Sequence, residues 1–242
     1  MRMDHDIELK LLAGLSVDLG NQLSFSVPTL RTIANIGSRK YDALISVLLV
    51  NKASLEELAA SRVTNFELFA LNCMLNEAFW SKAKQGLELF FGMEPTLRES
   101  PDGALIYFLD DPDMRLDDGS FDYFQSLIMY SHNIQFQREQ FSPGNAKAKA
   151  LIEKLQKGKQ EILSRKEQIF DLASKISGVA WKSSGVSIFN VFDLTIFQFY
   201  DALNRLEQVD YYLFTLQGIY SGHVDGQKIN LSNIHWSKKY KP

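Results

Sequence analysis

Four histidines and one cysteine are the side chains best suited to chemistry, and their spacing is the first guide to function. His5, His132, His223 and His235 lie far apart, and no two have the spacing that places metal ligands on one helical face. Cys73 is the only cysteine, which excludes an intramolecular disulfide. Its neighbourhood, ALNCMLNEAF, favours a small buried side chain over a nucleophile.

The most acidic stretch, DDPDMRLDDGSFD, is the second candidate for chemistry. Its carboxylates are the ligands that calcium and magnesium prefer, but their spacing does not match an EF-hand loop. A solvent-exposed hairpin turn is favoured over a cation site, and cation binding stays open. The carboxylates belong to Asp110, Asp111, Asp113, Asp117, Asp118 and Asp122.

The chain contains no phosphate-binding P-loop, no GxSxG elbow and no GxGxxG turn. We therefore expect no catalytic residues, no cofactor and no bound metal.

Composition indicates a globular protein without a nucleic-acid surface. The 242 residues are 45% hydrophobic and 23% charged, which is ordinary for a folded domain. A net charge of -3 argues against nucleic-acid binding, since phosphate contacts need a surplus of lysine and arginine. The amino terminus lacks the pattern of a signal peptide, and no stretch has the ~18 consecutive apolar residues of a membrane span. We expect a soluble protein of the cytoplasm.

Hydrophobic periodicity in the first part of the chain predicts a β-hairpin followed by helices. The stretch from Ile7 to Pro28 alternates in part and contains a Gly-Asn turn signal, which predicts two antiparallel strands. PTLRTIANIG and SRKYDALISVLLVN then have helical spacing. One long helix is predicted from Asn65 to Phe91, because Thr64 or Asn65 can cap its start and Gly92 can end it.

The remainder is predicted to contain a little sheet and then long helices. Residues 103–117 have the pattern of a small β element with an acidic turn, followed by a helix from Phe121 to Ser131. Pro143 and Gly144 mark a boundary, after which an amphipathic helix is predicted from Ala146 to Ser177.

The predicted fold class is α+β, mostly α. We divide the chain into an amino-terminal hairpin with short helices (1–62), a middle helical region (63–142) and a helical carboxy-terminal half (143–242).

Asn190 to Gly222 is the second long helix predicted in the carboxy-terminal half, and it is apolar on nearly every side. We expect it to pack antiparallel to the preceding helix, with Trp181 covering their connection. Such a helix is either buried as a core element or presents a groove to a partner. Both alternatives stay open, because Asp201 and Arg205 provide only one polar edge.

Two sequence motifs resemble those of a group of tail-region proteins from tailed phages of Gram-positive bacteria. Near the amino terminus, PTLRTIANIG matches the pattern P-x-L-x-x-I-x-x-I-G of that group, from Pro28 to Gly37, and is followed by Tyr41. Near the carboxy terminus, NVFDLTIFQFYDALNRL and INLSNIHWSKK match the end of the same proteins, through His235 and Trp236. SPGNAKAKALIEKL resembles their middle.

The resemblance implies a role as a tail assembly chaperone that binds an aggregation-prone tail protein, such as the tape measure, in the host cytoplasm. A structural tail or baseplate component of the virion is the alternative, and an enzyme built from the acidic stretch and His132 is the third. Self-association into a homo-oligomer is compatible with either phage role, and no membrane partner is expected.

The carboxy-terminal IHWSKKYKP is the segment that we expect to contact a partner. Trp236 and Tyr240 offer large apolar area, while Lys238, Lys239 and Lys241 supply positive charge. Packing of Trp236 as a lid on the helical half is the competing interpretation.

Overall fold

The computed structural model describes residues 3–52, 63–100, 103–134 and 170–239. It is a mostly helical α+β protein, as the sequence predicts. The chain forms two compact units. Unit 1 comprises Met1–Ile134 together with Phe192–Ala202, and unit 2 comprises Gln135–Val191 together with Leu203–Pro242.

Unit 1 begins with a helix and a short hairpin. Helix α1 (His5–Leu12) occupies residues that were predicted as the first strand, so that part of the hairpin prediction is wrong. The Asp4 side chain accepts a hydrogen bond from the Asp6 amide and caps the helix. This local cap prevails over the partial alternation of the sequence.

The hairpin itself consists of β1 (Val17–Gly20) and β2 (Leu23–Phe25), which pair antiparallel. Its turn residues Asn21 and Gln22 have φ values of 50° and 57°, as a tight hairpin turn requires. The predicted hairpin is therefore present but shorter than its sequence pattern.

Short helices follow, and their ends coincide with sequence signals. Helix α2 (Leu30–Ile36) is capped by Thr29, and α3 (Ser38–Leu48) follows Gly37 directly. Both were predicted from helical spacing, and both are confirmed.

The long helix predicted from Asn65 to Phe91 is two helices. Thr64 and Glu67 form a capping box that starts α4 (Asn65–Leu75), and α5 (Glu77–Phe91) ends at Gly92, whose φ is 68°. Between them Asn76 adopts an extended backbone, and its side chain accepts a hydrogen bond from the Phe79 amide. Asparagine satisfies a helix start better than a helix interior, so the continuous helix is wrong at this residue.

A three-stranded antiparallel sheet follows, with strand order β3-β4-β5. Its strands are β3 (Pro95–Ser100), β4 (Gly103–Phe108) and β5 (Asp111–Leu116). The sequence predicted the β element at 103–117, but it did not predict β3. Helix α6 (Asp118–Ser131) then begins at a cap formed by Asp117 and Ser120, and it confirms the helix predicted there.

Phenylalanine rings from several elements form the core of unit 1. They stack or meet edge to face with centroid separations between 4.7 and 6.3 Å. The strand and helix faces that were predicted to be apolar converge on this cluster. Its fully buried members include Phe25, Phe69, Phe90, Phe108, Phe121 and Phe124.

Parts of the amino-terminal and carboxy-terminal motifs that resemble phage proteins meet within unit 1. The Pro28 carbonyl accepts a 3.0 Å hydrogen bond from the Ile196 amide, and the Leu30 amide donates a 2.9 Å bond to the Leu194 carbonyl. Arg31 also forms an ion pair with Asp193 at 2.7 Å. The motifs are therefore structural, because each provides the hydrogen-bonding partners of the other.

Unit 2 contains α7 (Leu172–Lys182) and most of α8 (Ile196–Tyr220), followed by the short α9 (Leu231–Ile234). Of the helix predicted from Ala146 to Ser177, residues 146–169 lie outside the described residues, as does the Pro143-Gly144 boundary. Lys182 and Asp210 form an ion pair between α7 and α8. The predicted antiparallel packing of the two long helices, like the three-region division of the chain, stays a prediction.

The sequence suggested that Trp181 covers the connection between α7 and α8, and this prediction is wrong. Its side chain is 81% exposed. Among the described residues, no helix combines the length and the apolar character needed to cross a membrane.

Close packing of α3 against α5 depends on Gly86, and this dependence supports a stability prediction. A Cβ at this position would lie 2.9 Å from a Leu48 methyl carbon, closer than van der Waals contact allows. Gly86→Ala should lower the free energy of unfolding by about 0.5–2 kcal/mol, because overpacking against Leu48 outweighs the backbone-entropy gain of alanine in a helix.

The matched control is Gly178→Ala within α7, where a Cβ would meet no atom of the described residues within 4 Å. The free energy of unfolding of that variant should rise by about 0.5–1 kcal/mol, because alanine loses less backbone entropy than glycine when a helix forms. Thermal unfolding followed by circular dichroism measures both, and equal melting temperatures would contradict the packing argument.

Candidate partner-binding surface

Helix α8 begins in unit 1 and ends in unit 2. Thr195 and Gln198 cap its start by hydrogen bonds between each side chain and the other's amide, at 3.2 and 2.8 Å. The start signal was expected five residues earlier, at Asn190, whose side chain instead accepts a hydrogen bond from the Ser187 amide. Ile196, Phe197 and Phe199 are buried in the first turns.

The second half of α8 carries large apolar side chains that face solvent. Tyr211 is 61% exposed, Leu213 55%, Phe214 68% and Tyr220 84%. At 100° per residue Leu213, Phe214 and Tyr220 fall within about 120° of the helix surface, together with Gln217, and Tyr211 lies about 60° beyond Phe214. We call the four apolar residues the α8 apolar surface.

The last turn of α8 is partly covered by the chain that follows it. The His223 and Val224 amides both donate to the Gly218 carbonyl at 3.0 Å, which folds the chain back onto the helix. Gly218 and Gly226 permit this approach, since a Cβ at either would lie less than 3 Å from Val224 or Ile219. Among the described residues, the following chain packs on Gly218 and Ile219, while Tyr211, Leu213, Phe214 and Tyr220 stay exposed.

Arg205 attaches the carboxy-terminal segment to α8. Its Nη1 donates to the backbone carbonyls of Trp236, at 3.2 Å, and Lys238, at 2.7 Å. The His235 ring stacks on Trp236 and meets Tyr212 edge to face, with centroids 5.4 and 5.1 Å apart. The sequence indicated Arg205 only as a polar edge, and two of its hydrogen-bond partners lie more than 30 residues away.

The predicted contact residues of this segment lie on the surface of unit 2. The Trp236 side chain is 47% exposed, so it is only partly packed. Lys238 is exposed, and its Nζ donates to the Asn233 carbonyl at 3.0 Å. Lys239 is also exposed. Tyr240 and Lys241 lie outside the described residues.

Carboxylates of the acidic stretch have structural partners in unit 1. Asp110 pairs with Arg98 at 2.6 Å, and Asp111 accepts from the Asp113 amide at 2.9 Å. Asp122 accepts from Asn65 Nδ2 at 2.9 Å. Of these residues only Asp110 lies in the turn between β4 and β5, whereas β5 contains Asp111 and α6 contains Asp122, so the hairpin-turn prediction is right only for the start of the stretch. Within the described parts of the chain no group of three or more His, Cys, Asp or Glu side chains is arranged to hold a metal ion.

Asp117 is another carboxylate of the acidic stretch that forms hydrogen bonds within the fold. Its side chain accepts hydrogen bonds from the Ser120 amide at 2.9 Å and from Asn21 Nδ2 at 3.0 Å. The hydrogen bond from the Ser120 amide is the main reason that the pKa of Asp117 is lowered. Asp118, beside it, accepts from the Thr64 hydroxyl.

His132 does not share a site with the acidic stretch. Asp117 caps the amino-terminal end of α6 and His132 the carboxy-terminal end, so the helix length of about 20 Å separates them. Within the core, His132 Nδ1 donates to the Ile128 carbonyl at 2.7 Å, and Nε2 accepts from the Tyr41 hydroxyl. The prediction of one enzyme site that combines the acidic stretch with His132 is therefore wrong.

Cys73 is buried, which confirms the structural interpretation of its apolar surroundings. Burial raises the pKa of its thiol to about 12, so the nucleophilic thiolate is scarce at neutral pH.

Comparison with known protein families gives a match to the carboxy-terminal segment. Residues 164–241 match the family model of the YomV second domain. YomV is a protein of a Bacillus prophage, and the match suggests a phage-related protein. The matched range contains α7, α8 and the segment bound by Arg205. No curated protein and no solved structure matches the chain significantly.

Proposed function

We propose that the protein is a non-enzymatic assembly factor of a phage tail, which binds an aggregation-prone tail protein such as the tape measure during morphogenesis. The observation that carries this proposal is the α8 apolar surface. It lies inside the range that matches the YomV second domain. The resemblance of the amino-terminal stretch Pro28–Gly37 to phage tail-region proteins lies outside that range and adds further support.

The physical basis is the cost of exposing apolar surface. A long, apolar, helical tail protein aggregates unless its apolar faces are covered before assembly. Tyr211, Leu213, Phe214 and Tyr220 together present aromatic and aliphatic area that such a helix can bury, and burial contributes roughly 25 cal/mol per Å². The amide of Gln217, on the same side, tolerates a polar residue of the client.

Charge at the carboxy-terminal segment complements this apolar contact. Lys238 and Lys239 are exposed, and Arg205 holds the backbone of the segment against α8. Lysines beside an apolar contact guide association with acidic or mixed helices and make it sensitive to salt. Contact by Trp236, Lys238, Lys239, Tyr240 and Lys241 remains part of the proposal.

Phe214→Asp should reduce recovery of the client at least about tenfold in a co-purification, because a carboxylate would be buried against apolar side chains. The experiment co-expresses the chain with the tape-measure protein of the phage that encodes it, and measures the soluble client bound to the tagged chain. Phe214 is 68% exposed, so the substitution should leave the circular-dichroism spectrum unchanged.

Phe170→Asp is the matched control, since Phe170 is 60% exposed and lies outside α8. Equal recovery with both variants would contradict a role for the α8 apolar surface. Quantitative protein analysis of purified virions then separates the two phage roles. An assembly factor is absent or trace there, whereas a stoichiometric amount would identify a structural tail or baseplate component.

A further inference from the structure

Helix α4 is apolar on all sides, and only some of those sides are packed. Its buried face contributes Phe66, Phe69 and Cys73 to unit 1. Its outer face carries Leu71, Met74 and Leu75, which are 50%, 40% and 78% exposed. These three positions follow the i, i+3, i+4 spacing of a helical ridge, the arrangement that packs against another helix. We call them the α4 ridge.

A cavity opens directly beside the α4 ridge. It has a volume of about 320 Å³ and is lined by Cys73, Met74, Glu77, Trp80 and Leu97. Met74 belongs to both the ridge and the cavity, so the two adjoin at this residue. The volume suits a large apolar side chain, and methionine and tryptophan provide an adaptable apolar wall. We call the ridge and the cavity together the α4 groove.

Among the described residues that line the cavity, the charge is acidic. Glu77 is the only acidic residue among the five that line the cavity, and none of the five is basic. It lies in the first turn of α5 and is exposed to solvent. An occupant that places lysine or arginine next to its apolar anchor would pair with this carboxylate.

We propose that the α4 groove is a docking site for an amphipathic helix of a partner protein, which inserts an aliphatic or aromatic anchor into the cavity and places a lysine or arginine beside Glu77. The helix packs along Leu71 and Leu75. This inference does not depend on the proposed phage function, because α4, α5 and β3 lie outside the range that matches the YomV second domain.

Tryptophan fluorescence tests the proposal at the site itself. The chain has three tryptophans, so the double variant Trp181→Phe, Trp236→Phe of the full chain leaves Trp80 as the only one. The probes are two 18-residue amphipathic helices without aromatic residues, one of leucine and lysine and one of leucine and glutamate. We expect the lysine peptide to shift Trp80 emission to shorter wavelength, and to bind at least tenfold more tightly than the glutamate peptide.

Two substitutions in that background separate the apolar and charged parts of the site. Leu75→Ser should weaken the lysine peptide at least tenfold, whereas its matched control Leu15→Ser, at an exposed leucine outside α4, should not. Glu77→Gln should reduce the preference for lysine over glutamate. Circular dichroism checks that each variant is folded.

The proposal is overturned by any of three results: unchanged Trp80 emission, equal effects of Leu75→Ser and Leu15→Ser, or an unchanged lysine preference in Glu77→Gln. A concentration-dependent dimer in sedimentation velocity that Leu75→Ser dissociates would also overturn it, by assigning the groove to a second copy of the chain. Recovery of the tape-measure protein through α8 is unaffected by any of these results, so the two proposals fail separately.

Discussion

Phe124→Ala is expected to lower the free energy of unfolding by about 3–5 kcal/mol, a large part of the stability of a typical domain. The Phe124 ring is fully buried at the centre of the aromatic core of unit 1. It lies 5.0 Å from the Phe91 ring and 5.7 Å from Phe90, and it also contacts Phe25 and Phe121. Truncation removes this burial and leaves a cavity among rigid rings.

Urea unfolding followed by far-ultraviolet circular dichroism measures the change. Phe124→Leu is the control, because it keeps most of the volume and should cost less than about 1.5 kcal/mol. A loss below about 1 kcal/mol for the alanine variant would show that the rings do not form a tightly packed core.

The second large effect is loss of stability in acid through His132. Burial lowers the pKa of His132 to about 4, from an ordinary value of 6.5. Between these two pH values His132 is protonated in the unfolded chain but neutral in the folded chain. The free energy of unfolding therefore falls as the pH falls from 6.5 towards 4. Acidification to about pH 4 should lower the free energy of unfolding by about 3 kcal/mol through His132. Above pH 6.5 His132 adds no further pH dependence.

The hydrogen bonds of His132 explain why its imidazole stays neutral in the folded state. Nδ1 already donates to the Ile128 carbonyl, so protonation has to occur at Nε2, which accepts from the Tyr41 hydroxyl. Burial raises the pKa of Tyr41, so its hydroxyl keeps its proton and its role as donor. A second proton on the ring would therefore break this hydrogen bond inside the core.

The test compares the pH dependence of unfolding in the parent chain and in His132→Gln, from pH 7 to pH 4. We expect the variant to be less stable at pH 7 but to lose less on acidification. His5→Gln is the control, since His5 is exposed, and should retain the slope of the parent. Parallel curves for the parent and His132→Gln would contradict the prediction.

Local sequence signals determined where many elements begin and end. Thr29, Thr64 and Asp117 cap the helices that the sequence indicated, because each hydrogen bond joins residues only three positions apart. Gly92 ends α5 for a similar reason, since its positive φ is a local requirement. The mostly helical α+β class follows from such signals combined with hydrophobic periodicity.

Errors arose where two local signals competed. Residues 7–12 alternate like a strand, but the Asp4 cap makes them a helix. Asn76 interrupts a continuous helical pattern because it caps the next helix. Strand β3 was missed because its backbone hydrogen bonds depend on β4, which no pattern within β3 itself reveals.

The candidate sites depended on contacts that cross long stretches of the chain. The sequence indicated that Asn190 to Gly222 is apolar nearly all round, but it left core and groove as alternatives. The structure decides this by position: Phe197 and Phe199 are buried, whereas Phe214 and Tyr220 are exposed. Likewise, the carboxylates of the acidic stretch have partners such as Asn65, which lies 57 residues away from Asp122.

Thus the sequence by itself determined the helix caps, the hairpin turn and the apolar character of α4 and α8, since these depend on residues within one or two turns. Tertiary structure alone decided which apolar faces are covered and which polar groups pair. The physical reason is that burial is a property of all the elements that meet at a surface. Side-chain type and spacing show that a face needs a partner, and only the packed chain shows that Leu75 and Phe214 have been left facing solvent.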